Sequence, residues 1–178
     1  MMSRLMLACM ALVFGGLCTA GASADILVAL SPTDSEVVVG DTVSVDIIAH
    51  ILEDDAVAGW GLDLDIILPG VASWTLTSIG GDWFPGSGSD GDGLVGFAFP
   101  EPVWGPGTLL ATVEITGLTV GVADLCPSVT VGDDTEGFVQ KGGEFVAADF
   151  LCGTITVTPE PTTLSLVALA GLVILRRR

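Results

Sequence analysis

Residues 37–66 read VVVGDTVSVDIIAHILEDDAVAGWGLDLDI. From Thr42 to Ala49 the side chains alternate, with Val43, Val45 and Ile47 on one face and Thr42, Ser44 and Asp46 on the other. The same alternation returns at Trp60 to Ile66, where Trp60, Leu62, Leu64 and Ile66 turn one way while Asp63 and Asp65 turn the other. Successive side chains of a strand point to opposite faces, so both runs are half-buried strands, and a helix would scatter the same residues around its axis. The Val39-Gly40-Asp41 step ahead of the first run is a turn.

The rest of the body follows the same grammar. Further strands are expected at Ile26 to Leu30, Val37 to Val39, Ser73 to Ile79, Leu94 to Phe99, Thr108 to Thr116, Ser128 to Val131, Gly137 to Gln140, Glu144 to Val146 and Gly153 to Val157. Between them lie Pro69-Gly70, Gly80-Gly81-Asp82, Gly105-Pro106-Gly107, Gly132-Asp133-Asp134 and Lys141-Gly142-Gly143, all turn formers. No segment of helical period is present to serve as a crossover, so the strands must pair antiparallel. The expectation is an all-β antiparallel sandwich of about nine strands over residues 25–158, jelly-roll or immunoglobulin-like.

The stretch at residues 37–66 also resembles the opening of a cohesin-type domain: a Val-Gly-Asp turn, an alternating strand, a short loop, then a small-aromatic-x-Leu strand. SWTLTSIGGDWF, GLVGFAF and GTLLATVEI fall where that family has its later strands, and the similarity covers roughly Ile26 to Thr158. The resemblance implies a jelly-roll-like sandwich, related to carbohydrate-binding modules, that acts by binding.

The two ends read as addresses. Met1 to Ala24 has Arg4 as a basic start, an apolar run from Leu5 to Leu17 and a small-x-small site at Ala22-Ser23-Ala24, the pattern of a signal peptide cut by signal peptidase before Asp25. At the other end Pro159-Glu160-Pro161 precedes an uncharged run, 162–175, and Arg176, Arg177 and Arg178. As a helix those 14 residues would measure about 21 Å, short of a hydrocarbon core of about 30 Å. The arginines obey the positive-inside rule, and the prolines delay the helix. This tail, residues 159–178, resembles the PEP-CTERM sorting signal. The resemblance implies recognition by an exosortase-type enzyme, cleavage near Pro-Glu-Pro, an inner-membrane intermediate held by the C-terminal helix, and delivery to the cell surface or extracellular matrix.

With both ends set aside, residues 25–158 hold 21 of the chain's 22 Asp and Glu residues against Lys141 alone, a formal charge of −20. Nucleic acid as a partner is excluded, because displacing phosphate counterions needs Lys and Arg, and the charge also argues against docking on anionic lipid. What remains is a hydrated surface that attracts divalent cations or simply keeps the domain soluble. Cys126 and Cys152 are an even pair in an oxidising compartment, and a disulfide between them is predicted.

Candidate sites are few. Ser89-Asp90-Gly91-Asp92-Gly93 is the pattern of a Gly-Asp turn or a loose calcium loop, with Asp90 and Asp92 as ligands and Asp133, Asp134 and Glu136 as further carboxylates. It departs from an EF-hand, since Gly88 and Phe99 stand where carboxylates belong. Four tryptophans without a tyrosine invite a sugar-stacking reading. Trp60 and Trp74 lie in alternating strands and belong to the core, whereas Trp83 and Trp104 lie in Gly/Pro-rich loops and are the candidates for polysaccharide contact. His50 is the single histidine, expected at a strand end near solvent, and neither G-x-S-x-G nor a metal-binding His pair accompanies it. The chain is therefore expected to be no enzyme but a binding or structural component, partnered by polysaccharide or another surface protein. A small hydrolase would need His50 beside a hydroxyl, or two convergent carboxylates.

Overall fold

The computed structural model describes residues 25–88 and 91–161. The expected signal segment with Ala22 and Ala24, the calcium candidate Asp90, the apolar run 162–175 and Arg176 to Arg178 lie outside the described residues. Among the described residues no helix is long and apolar enough to cross a membrane.

Fourteen strand segments follow one another: β1 (Ile26–Ser31), β2 (Asp34–Val38), β3 (Thr42–Ile51), β4 (Val57–Gly61), β5 (Asp63–Ile67), β6 (Ala72–Ile79), β7 (Phe84–Pro85), β8 (Val95–Phe97), β9 (Gly105–Gly117), β10 (Gly121–Ser128), β11 (Gly137–Gln140), β12 (Phe145–Val146), β13 (Ala148–Phe150) and β14 (Gly153–Thr158). One sheet has the order β13-β1-β3-β9-β6, a second β2-β14-β10-β5 and a third β12-β11-β4-β8-β7. The number exceeds nine because the chain passes between sheets without a loop. β1 leads into β2 through Pro32 and Thr33, and β4 into β5 through Leu62 alone, whose N–H bonds the Leu94 carbonyl.

The alternation that identified β3 holds: Val45, Ile47 and Ala49 are buried, and Ser44 and His50 are exposed. Gly40, at φ 87°, closes the turn ahead of it, where Asp41 N–H reaches the Val38 carbonyl at 3.0 Å. Trp60, Leu62 and Leu64 all face inward across the break at Leu62, joining Ile26, Val113, Leu125, Phe138 and Ile155 in one apolar cluster. The strands pair antiparallel, except that β13 lies parallel to β1 and β2 parallel to β14. These two parallel pairs, with an isolated parallel bridge between Val39 and Gly117, depart from the all-antiparallel expectation.

The strand expected at Ser128 to Val131 is displaced. β10 ends at Ser128, and Val131 is 99% exposed. Ala123 and Leu125 face in while Val122 and Asp124 face out, but an outward valine, a small inward alanine and Pro127 blur the contrast that identifies a strand. The predicted disulfide is present, joining Cys126 on β10 to Cys152 just before β14.

Candidate binding face

The third sheet packs Trp60 and Phe138 inward, and its short strands align a different set of residues outward. Across the ladder Phe84 on β7 lies opposite Phe97 on β8, Phe97 opposite Gly59 on β4, Gly59 opposite Val139 on β11, and Val139 opposite Phe145 on β12. Residues in register share a face, so Phe84, Phe97, Gly59, Val139 and Phe145 form one row about 19 Å wide over five strands. All three phenylalanines are about half exposed or more, Phe145 the most at 61%. Phe84 and Phe97 stack, with ring centroids 5.6 Å apart and planes at 29°.

Gly59 makes the row a trough. A Cβ there would meet only the Gly96 carbonyl oxygen, at 3.7 Å. The recess over it measures about 170 Å³, walled by Phe97, Val139 and Phe145 and closed at one end by Asp134, Thr135 and Glu136. A second, open recess of about 330 Å³ lies beyond Phe145, which lines both, and is bounded by Val129 to Asp134, Phe138 and Phe150. The loop between them is folded by its own carboxylates. Asp133 Oδ1 accepts from Thr135 N–H at 2.8 Å and from its hydroxyl at 2.6 Å, and the nearly buried Glu136 accepts from Thr130 N–H.

The residues that sequence singled out divide. Trp83, placed by its glycine-rich loop among the ligand contacts, is buried instead. Its N–H bonds the Gly80 carbonyl, its indole Nε1 donates to the Leu109 carbonyl at 2.9 Å, and its ring meets Trp60 edge-on at 6.2 Å. Trp104 is 53% exposed, just ahead of β9, next to Val103, which bridges Val57 of β4, and it lines neither recess. Trp60 is core, and Trp74 is half-buried against it. Asp92 Oδ1 accepts from Leu94 N–H at 2.8 Å, so this carboxylate shapes its own turn. Among the described residues no three His, Cys, Asp or Glu side chains gather as metal ligands. His50 is exposed next to the last residue of β3 and lines neither recess. Pro159 is half-buried after β14, and Glu160 and Pro161 are exposed. The row itself was not foreseen. Only the outward phase of Phe97 and Phe145 in short strands hinted at it.

No protein-family model matches the chain, and no curated protein matches it in sequence. Solved structures do match. A non-cellulosomal cohesin from the hyperthermophilic archaeon Archaeoglobus fulgidus aligns over 81% of this chain and 97% of its own, with TM-score 0.52 and 17% identity. A cohesin module from a Clostridium perfringens family 33 glycoside hydrolase covers 77% and 98%, with TM-score 0.51 and 13% identity. The third ScaB cohesin of R. flavefaciens, solved in complex with a group 1 dockerin, covers 77% and 97%, with TM-score 0.50 and 16% identity. The fold is a cohesin-like β-sandwich.

Proposed function

We propose that this chain is an exported, non-catalytic binding module that takes a segment of another surface protein into the trough between Phe97 and Phe145. The observation that carries the reading is the row of outward phenylalanines interrupted by a glycine. A contiguous exposed apolar patch with a polar rim marks an interaction surface, and half-exposed aromatic anchors supply most of the energy in such contacts. The carboxylates of the 133–136 loop at the end of the trough favour a segment that carries Lys or Arg. The R. flavefaciens cohesin, solved in complex with a dockerin, supports a protein as the partner. Export rests on the signal segment before Asp25. Display rests on the tail, whose Pro-Glu-Pro follows the last strand directly, with Glu160 and Pro161 exposed to an exosortase-type enzyme.

The test fills the trough without disturbing the fold. Gly59→Val adds its side chain into open space, and Phe145→Ser removes one wall. Immobilised wild-type chain and both variants are exposed to the surface-protein fraction of the source cells. A protein retained by the wild type and lost by both variants supports the reading; retention unchanged in both refutes it. One observation favours a glycan instead: Trp104 is exposed and offers a flat indole face. Loss of polysaccharide retention in Trp104→Ala, with Gly59→Val unaffected, would establish that second reading.

A further inference from the structure

β14 leaves the sandwich at one identifiable end. Val157 lies opposite Gly121, at the start of β10, and Thr158 lies beside Val38. The β9–β10 turn, Leu118 to Val120, is therefore at the exit, and so is the loop from Leu68 to Val71, since Leu118 and Thr119 both donate to the Val71 carbonyl. Asp25, the first described residue, is at the opposite end, because Ile26 pairs with Ile51, the last residue of β3.

The exit end differs from the remainder of the surface. Leu68 is 61% exposed, Val120 58% and Leu118 45%, with Ile67 and Val122 exposed beside them on β5 and β10. No charged residue occurs between Asp65 and Asp82 or between Glu114 and Asp124, in a domain of formal charge −20; one exposed carboxylate, Asp41 in the turn between β2 and β3, stands at this end, where its carbonyl accepts from Gly117 N–H. The opposite end carries Glu53, Asp54, Asp55 and Glu101. Leu68 also holds φ 78°, and no other non-glycine among the described residues has a positive φ. A leucine kept exposed in a conformation that suits glycine is a candidate for function rather than for folding.

We propose that this end, made by Leu68, Leu118, Val120 and their neighbours, rests in the headgroup layer of the membrane for as long as the tail is in place. The inference depends on the tail entering lipid, as the proposed function holds. Pro159 to Pro161 are the only residues between β14 and the uncharged run, and three extended residues reach at most about 10 Å. A headgroup layer is about 5–8 Å thick, so Thr158 and the turns beside it stand at the lipid surface. Were residues 162–175 helical they would measure about 21 Å, less than the hydrocarbon core, and such a mismatch draws the flanking residues inward. Exposed leucine and valine gain by entering the interface, and this end, with its uncharged stretches 66–81 and 115–123, is where the acidic domain approaches lipid with the least repulsion.

The test uses the full chain in phosphatidylcholine vesicles, with Leu68→Trp and Val120→Trp at the exit end and Val131→Trp at the opposite end. Vesicle flotation is read alongside fluorescence in lipid with brominated acyl chains, relative to the four native tryptophans. The expected result is flotation of every chain, with added quenching for Leu68→Trp and Val120→Trp and none for Val131→Trp. Chains that float while both exit-end tryptophans match Val131→Trp overturn this inference and leave the tail reading intact. Chains that do not float overturn both. Exit-end emission that is blue-shifted but not quenched places a second copy of the chain on this surface and also overturns the lipid assignment.

Discussion

Removing the disulfide perturbs the candidate face through the unfolded chain. Cys126 and Cys152 are separated by 26 residues, and the loop they close contains β11, β12 and β13, hence Val139, Phe145 and most of both recesses. In the chain-entropy model a loop of that length removes about 12 cal/mol/K from the unfolded ensemble, or about 3.5 kcal/mol at 25 °C. For the domain of residues 25–158 the unfolding entropy near the midpoint is about 280 cal/mol/K, so the double variant Cys126→Ala/Cys152→Ala should melt about 12 °C lower. Typical domains hold about 5–15 kcal/mol, so the variant should stay folded at room temperature. Urea unfolding followed by the emission of buried Trp60 and Trp83 measures the loss, and calorimetry gives the midpoint. The urea slope should rise slightly, because a chain without the cross-link exposes more surface on unfolding. A loss below about 1 kcal/mol would refute the reasoning. It would mean that residues 126–152 stay together in the unfolded ensemble without the bond.

Trp83→Phe deletes the donor to the Leu109 carbonyl and should cost about 1–3 kcal/mol in denaturant unfolding; a change near zero would contradict the indole's buried role. Gly96→Ala places a Cβ 2.6 Å from Trp60 Nε1 on the inner face and should cost about 1–3 kcal/mol, whereas Gly59→Val on the outer face should stay within about 0.5 kcal/mol. Equal costs at the two glycines would show that the faces are misassigned. Because Asp92, Asp133 and Glu136 accept bonds from their own loops, the thermal midpoint should be the same in chelator and in millimolar calcium, and a rise with calcium would establish a site. Intact mass of the protein recovered from the surface fraction of its source should begin at Asp25 and end near Pro161; a mass ending at Arg178, found only with membranes, would make the tail a permanent anchor.

The strands and their buried faces were legible because a half-buried strand records its environment in every second residue, as Val43 to Ala49 does. The break at Leu62 was not legible. Trp60, Leu62 and Leu64 keep the same parity on both sides of it, so the chain changes sheets without disturbing the pattern. Trp83 misled for a related reason: Gly80-Gly81-Asp82 has the composition of a surface turn, yet the turn folds back and drives the next residue into the core. The aromatic row needed information that one sequence lacks. Phe84, Phe97 and Phe145 are outward residues of three short strands, and only the register across five strands sets them in line with Gly59.

That register and the exit of β14 give the domain two apolar surfaces that share no residue. The row crosses the outer side of the third sheet, while Leu68, Leu118 and Val120 occupy the strand ends of the other two. A partner in the trough therefore leaves the exit end free, and a membrane against the exit end leaves the trough open. Cleavage near Pro161 would release the second surface without altering the first, so a partner taken at the membrane could be carried outward on the processed domain. The acidic residues sharpen the division. They crowd the end that holds Asp25 and the loop beside Phe145, where a cationic segment is favoured, and they are absent from the loops that carry Leu68, Leu118 and Val120, where a like charge would oppose approach to an anionic leaflet, leaving Asp41 as the exposed carboxylate in the adjoining turn.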